Sequence, residues 1–268
     1  VNGVLRALGT INEPIMFNIS SSTSTDSSSH EEEEGENFHL YRQQFLRRRV
    51  HESSKYSDKN NDDNTNNLVN NNRWGRILFT SDAQPSVVDD DDDSGNNNNV
   101  TYVSGSILRS VHIENSYQDF SIDIQYLPTP SRNRKFYMED VHIHQSGGIR
   151  AIDAALYLKQ MQLTASKQQT SYDSAVHVGT TISYFNGFSF VHIEDSVFNG
   201  YRSGVHVENC ATGSVSKVLR SRFSNLESQS AIYSTCNMTI DYNQFYASRI
   251  SMVMPAGTID IVRNLFMD

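Results

Sequence analysis

Six segments of the 268-residue chain repeat one short pattern, an aliphatic residue, two variable residues, then Ser or Asn: Ile113…Ser116, Ile143…Ser146, Ile193…Ser196, Val218…Ser221, Ile240…Asn243 and Ile261…Asn264. In the last four a Phe follows two positions on, at Phe198, Phe223, Phe245 and Phe266. Successive Ser/Asn positions stand 30, 50, 25, 22 and 21 residues apart, and the 50 reads as two turns of 25 with Met161…Thr164 as a degenerate copy between them. Self-similarity at such a period is the mark of stacked structural repeats.

Each unit carries a second short alternating run: Ser121-Ile122-Asp123-Ile124, Ala175-Val176-His177-Val178, Gly204-Val205-His206-Val207, Ala231-Ile232-Tyr233 and Ser251-Met252-Val253-Met254. Strands this short, separated by Gly, Ser and Asn, suit a coil in which each turn stacks on the one before, about 4.8 Å away, with alternate residues pointing into a common core. That is a parallel β-solenoid, whose units contact mainly their neighbours. The Ile/Val and Phe positions are expected to stack inward as columns, and the Ser/Asn column to sit at a bend and hydrogen-bond the backbone of a neighbouring turn. An antiparallel β-sandwich also has short strands at regular spacing. It does not require one residue type to recur at one place in six units, so the solenoid is the preferred reading.

Two stretches interrupt the repeat. Residues from about 18 to 73 hold a Ser/Thr tract, the acidic block Glu31 to Glu34, the basic Arg47, Arg48 and Arg49, and an Asn/Asp tract; residues from about 82 to 99 hold Asp89 to Asp93 and Asn96 to Asn99. Such composition cannot bury enough apolar surface to offset chain entropy. Both are read as solvated insertions in a single domain spanning 1–268, within the first of which Phe38, Leu40, Tyr41, Phe45 and Leu46 have the spacing of a short amphipathic helix. The net charge of −9 resides largely there, and it argues against nucleic acid as a partner. No apolar run approaches the roughly 20 residues of a membrane span.

The pattern Ile-x-x-Ser/Asn-x-Phe, with Gly3 to Thr10, Pro14 to Phe17, Trp74-Gly75-Arg76-Ile77-Leu78-Phe79 and Tyr102 to Leu108, resembles the right-handed parallel β-helix repeat of the pectin-lyase-like superfamily, in its large secreted microbial and algal forms. The resemblance implies an all-β, right-handed parallel β-helix. It does not choose among the lyases, glycoside hydrolases, adhesins and surface proteins built on that coil. Both ends of the sequence read as mid-repeat, so an excerpt of a longer protein is expected.

Three groups of polar residues are candidates for chemistry. In Val111-His112-Ile113-Glu114, Val141-His142-Ile143-His144 and Val191-His192-Ile193-Glu194, alternation turns His and Glu outward. His112 is expected to stack on His142 and Glu114 on His144, a donor set suited to zinc if the ring nitrogens converge; the competing reading is a solvated sheet face copied by duplication. Asp123 and Asp153 stand 30 residues apart and are expected on neighbouring turns, as the acid pair of a glycoside hydrolase or as Ca²⁺ ligands of the kind the resemblance implies, with Arg150 either catalytic or neutralising. The signatures of polygalacturonases and a lyase-like basic cluster are both absent from the sequence. Asp89 to Asp93 offers a further loose Ca²⁺ contact through charge density alone.

Cys210 and Cys236 end equivalent runs of successive turns, 26 residues apart, and are expected about 5 Å apart, either bridged, which is preferred, or as two buried thiols. Three sequons, Asn18-Ile19-Ser20, Asn99-Val100-Thr101 and Asn237-Met238-Thr239, fit glycosylation, and with the bridge they point to an extracellular or cell-surface protein. The expected function is that of a non-catalytic scaffold contacting carbohydrate or another extracellular surface, with no obligate cofactor; a polysaccharide lyase or glycoside hydrolase is the alternative.

Overall fold

The structure is a computed structural model that describes residues 5–10, 12–17, 75–80, 83–90, 100–116, 119–125, 134–165, 174–179, 189–210, 215–226, 230–252 and 258–268. These residues form 23 strands and no helix. The segment expected as an amphipathic helix and the first insertion lie outside the described residues.

The chain is wound as a right-handed parallel β-helix. Three strand ladders run along the coil. In the first, an inward column passes from Leu108 through Met138, Leu158, Ile193, Val218 and Ile240 to Ile261. In the second it passes from Phe17 through Ile113, Ile143, Leu163, Phe198, Phe223 and Phe245 to Phe266. The third joins Ile77, Ile122, Ile149, Val176, Val205, Ile232 and Ile250. From Leu108 to Ile240, Ile113 to Phe245 and Ile122 to Ile232 these columns are fully shielded from water. The four Phe rings stack with centroids 4.9, 5.2 and 4.8 Å apart, and each full burial stabilises by roughly 1.5–3 kcal/mol.

The bends follow from backbone geometry. Between the first and second ladders every rung places one residue in the left-handed region: Ser110, Asp140, Gln160, Asp195, Arg220, Tyr242 and Arg263, with φ between 49° and 56°. That conformation is unfavourable for a residue with a Cβ. Bonds between rungs compensate: the N–H groups of Gln160, Asp195, Arg220 and Tyr242 each donate to a carbonyl one rung on, at 3.0 to 3.3 Å. Beside them runs the expected polar column. The N–H groups of Ser196, Ser221 and Asn243 donate to Ser221 Oγ, Asn243 Oδ1 and Asn264 Oδ1 at 3.2, 2.8 and 2.8 Å.

The register corrects the sequence reading in three places. Ile113 and Ile143 stack in the Phe column and not under Ile193, so Ser116 and Ser146 lie at the next bend, where Ser116 N–H donates to Ser146 Oγ at 3.0 Å. Met161 occupies the place of Ser196 and not that of Ile193, its N–H donating to Ser196 Oγ at 3.1 Å. The second insertion is not all loop: Ser86–Asp90 is a strand, antiparallel to Val100–Ser104 and to the start of Arg134–His144. The β-branched Val87 and Val88 favour it, and buried Ser86 fixes it by accepting the Tyr137 N–H at 2.9 Å.

Candidate functional site

The inward columns are apolar, so any chemistry lies on the outward columns of the three ladders. On the third, Leu78, Asp123, Arg150, His177, His206, Tyr233 and Ser251 follow one another rung by rung. Asp123 is therefore opposite Arg150, and the expected stacking of Asp123 on Asp153 does not occur. An irregularity between Phe120 and Ile122 shortens the step to 27 residues, and Asp153 lies at a corner with φ 53°. Although it points outward, Asp123 is fully shielded. Arg150 donates Nε to Oδ1 at 2.9 Å and Nη2 to Oδ2 at 2.7 Å, while Arg76 and Gln125 both approach Oδ2 at 2.8 Å. Both carboxylate oxygens are thus occupied, and the charge is matched by two guanidiniums.

The same column holds a pair that the sequence reading used only as strand pattern. His177 and His206 stack with centroids 4.8 Å apart, and their Nε2 atoms stand 3.4 and 3.3 Å from the two oxygens of Glu208. Burial, then the neighbouring His206, push the His177 imidazole below its usual range; Arg150 acts the same way and Glu208 opposes it.

The second ladder carries the expected metal set. His112 stacks on His142 at 4.5 Å and Glu114 lies opposite His144, as predicted. The donors do not converge. The rings are 12° from parallel, and His142 Nε2 turns to Asp140 at 3.3 Å. Burial and then His112 lower the His142 pKa against the pull of Asp140. Among the described residues, no group of three His, Cys, Asp or Glu side chains is arranged to hold a metal ion. Asp91 to Asp93, part of the proposed Ca²⁺ contact, lie outside the described residues. His192 belongs to another face: the register shift that separates Ile193 from Ile113 puts it on the first ladder.

That first ladder contains a buried cluster of polar side chains. Tyr137, Tyr157 and His192 are consecutive on its outward side and all buried, with Tyr102 of the added hairpin against Tyr137. Tyr157 stacks on Tyr137 at 5.1 Å and meets the His192 ring edge-on at 4.8 Å. His192 Nε2 and Glu194 Oε1 stand 2.7 Å apart at an angle poor for a hydrogen bond, and Arg220 Nη2 lies 3.0 Å from Glu194 Oε2. The two side chains are in close polar contact within a buried cluster. Burial alone would raise the Glu194 pKa, but His192 and Arg220 outweigh it and hold the carboxyl below its usual range. Burial dominates at His192, whose imidazole is pushed down, and at the phenols, where it raises Tyr157 strongly and Tyr137 to about 12. Alternation alone marks Tyr157, His192 and Glu194 as outward; it gives no sign that they are covered.

Cys210 and Cys236 are bridged, with Cα atoms 5.7 Å apart. Of the sequons, Asn18 and Asn99 lie outside the described residues. Asn237 is half-buried at a bend and accepts the Thr258 N–H through Oδ1 at 2.8 Å. No helix among the described residues is long and apolar enough to cross a membrane. Together these features define the class of the protein as a parallel β-helix whose outward faces are stacked polar ladders. No protein-family profile, curated protein or solved structure matches the chain.

Proposed function

We propose that the protein is an extracellular or cell-surface β-helix scaffold of the pectin-lyase-like type, whose outward faces contact carbohydrate or another surface without transforming it. The state of Asp123 carries this reading. It is the buried acid of the candidate catalytic set, and its two oxygens are engaged by two guanidiniums and an amide while Asp153 lies elsewhere. The disulfide supports an oxidising location, and the sequon at Asn237 agrees with it. Tyr242, half-exposed with Arg263 over its ring at 4.1 Å, offers an aromatic surface for a sugar ring.

Affinity electrophoresis through gels containing pectin, alginate or related polymers, run beside assays for released oligosaccharide, tests the proposal. Retardation by at least one polymer with no product is expected. Sustained product release replaces the scaffold by an enzyme, and migration unaffected by every polymer removes the carbohydrate contact.

A further inference from the structure

We propose that the seam between the strands Ser174–Gly179 and Ser203–Val207 is an acid-operated joint, in which two stacked imidazoles from consecutive rungs share a single carboxylate. The pairing His177↔His206 is fixed by flanking contacts in register, Val176↔Val205 and Val178↔Val207, and by the Ser174 and Ser203 hydroxyls at 2.9 Å. The rings therefore cannot slide past one another without loss of the ladder. Both direct Nε2 at Glu208, whose own N–H donates to Val178 O across the seam at 2.9 Å.

The carboxylate in contact with the pair, Glu208, can match one proton but not two. From the preceding rungs come Arg150 and, behind it, Arg76, matched against Asp123; Glu208 is the acid of the pair's own rung. Asp153 stands at the corner whose N–H donates to Gly179 O, Phe120 presents its ring edge to His177, and Tyr233 of the following rung lies against His206 at 4.5 Å. These groups make two guanidiniums and three carboxylates, of which Glu208 is the one in contact with the imidazoles. One proton on the pair is matched by Glu208. A second creates two cations stacked 4.8 Å apart beside Arg150, and among the described residues Glu208 is the one carboxylate in contact with the two rings. Burial already biases the His177 ring toward its neutral form.

The joint is bounded on one side. The rung of His206 is tied to the rung of Tyr233 by Cys210–Cys236, and Cys210 N–H donates to the Cys236 sulfur at 3.2 Å. No disulfide joins the rung of His177 to that of His206, since the chain has two cysteines and both are in the Cys210–Cys236 bridge. Protonation therefore loosens one interface in the coil and leaves the next closed. This holds whatever ligand the outward faces bind, so it stands or falls independently of the scaffold reading.

Hydrogen exchange of the intact, non-reduced chain at pH 7.5 and 5.0, expressed as protection relative to intrinsic rates, tests the joint. Peptides covering 203–208 are expected to lose tenfold or more of their protection at pH 5.0, against less than twofold for 230–236. The double variant His177→Gln/His206→Gln should lose the acid response, and Glu208→Gln should deepen it, because the matching carboxylate is gone. Equal protection at the two pH values, an equal loss in the double variant, or a loss spread evenly along the chain overturns the proposal. If the double variant does not fold at pH 7.5, Glu208→Gln decides alone, and an acid loss no greater than that of the unaltered chain overturns it.

Discussion

Arg150 grips Asp123 across two rungs with paired hydrogen bonds, Nε to Oδ1 at 2.9 Å and Nη2 to Oδ2 at 2.7 Å. The forked geometry suits a carboxylate, and together with Arg76 it matches a charge that is fully buried. Asp123→Asn keeps the shape and removes the charge, leaving the guanidiniums of Arg76 and Arg150 unmatched. Loss of a buried partner of this kind costs about 3–5 kcal/mol; with both arginines partly in water, the lower end is expected. Urea denaturation should show a lower midpoint, whereas an unchanged midpoint would mean that the pair contributes nothing to the coil.

The Phe column gives an internal contrast. Phe223 is fully buried between Phe198 and Phe245, while Phe266 is 52% exposed. Phe223→Ala should destabilise by about 3–5 kcal/mol through lost burial and the cavity left behind, and Phe266→Ala by about 1 kcal/mol or less. Thermal melts of the two variants, made side by side, check the order.

Much of this was legible in the sequence, and the errors share a cause. Both bends use one local device: an inward aliphatic, an outward residue, a left-handed residue, then a small polar side chain. Ile113-Glu114-Asn115-Ser116 and Ile193-Glu194-Asp195-Ser196 therefore look alike although they lie at different corners, and local pattern cannot say which corner it marks. The Asp123–Asp153 pairing failed for a related reason. The step of 30 that joins His112 to His142 does not hold on the third ladder, where it is 28 at Phe120 and 27 from Ile122 on. The cysteines meet because both follow third-ladder strands that pair at a constant step of 27, and the one-residue difference from their own separation of 26 falls after the strands, where the chain absorbs it. His177, His206 and Glu208 are all legible as outward residues, but that one acid serves both rings follows only from the register of the two rungs.

Reduction of Cys210–Cys236 releases a closed loop set by a separation of 26 residues. On the chain-entropy model a loop of that size contributes about 3–4 kcal/mol. Denaturation with and without a phosphine reductant should differ by that amount, and the purified, non-reduced protein should show no reactive thiol from this pair. Two reactive thiols would contradict the bridge.

Stability should fall on mild acidification. Folded His142, His177 and His192 have pKa values below the ordinary 6.5, chiefly through burial, so between the folded and unfolded values the unfolded chain binds more protons and is favoured as pH drops. Glu194, also held low, adds a second loss as pH falls below about 4.5 toward its folded value. The urea midpoint at pH 5.5 should lie below that at pH 7.5, and a midpoint that rises on acidification would contradict these assignments.

The parallel, in-register coil is tested most directly by spin-label distances along one outward column. Gln162, Val197, Arg222, Gln244 and Leu265 occupy successive rungs of the second ladder and are all exposed. Labels paired with Leu265 should give backbone separations that grow by about 4.8 Å per rung, from one rung at Gln244 to about 19 Å, four rungs away, at Gln162. Distances that do not rise in that order, or that bring Gln162 closer to Leu265 than Arg222 is, would contradict the β-helix.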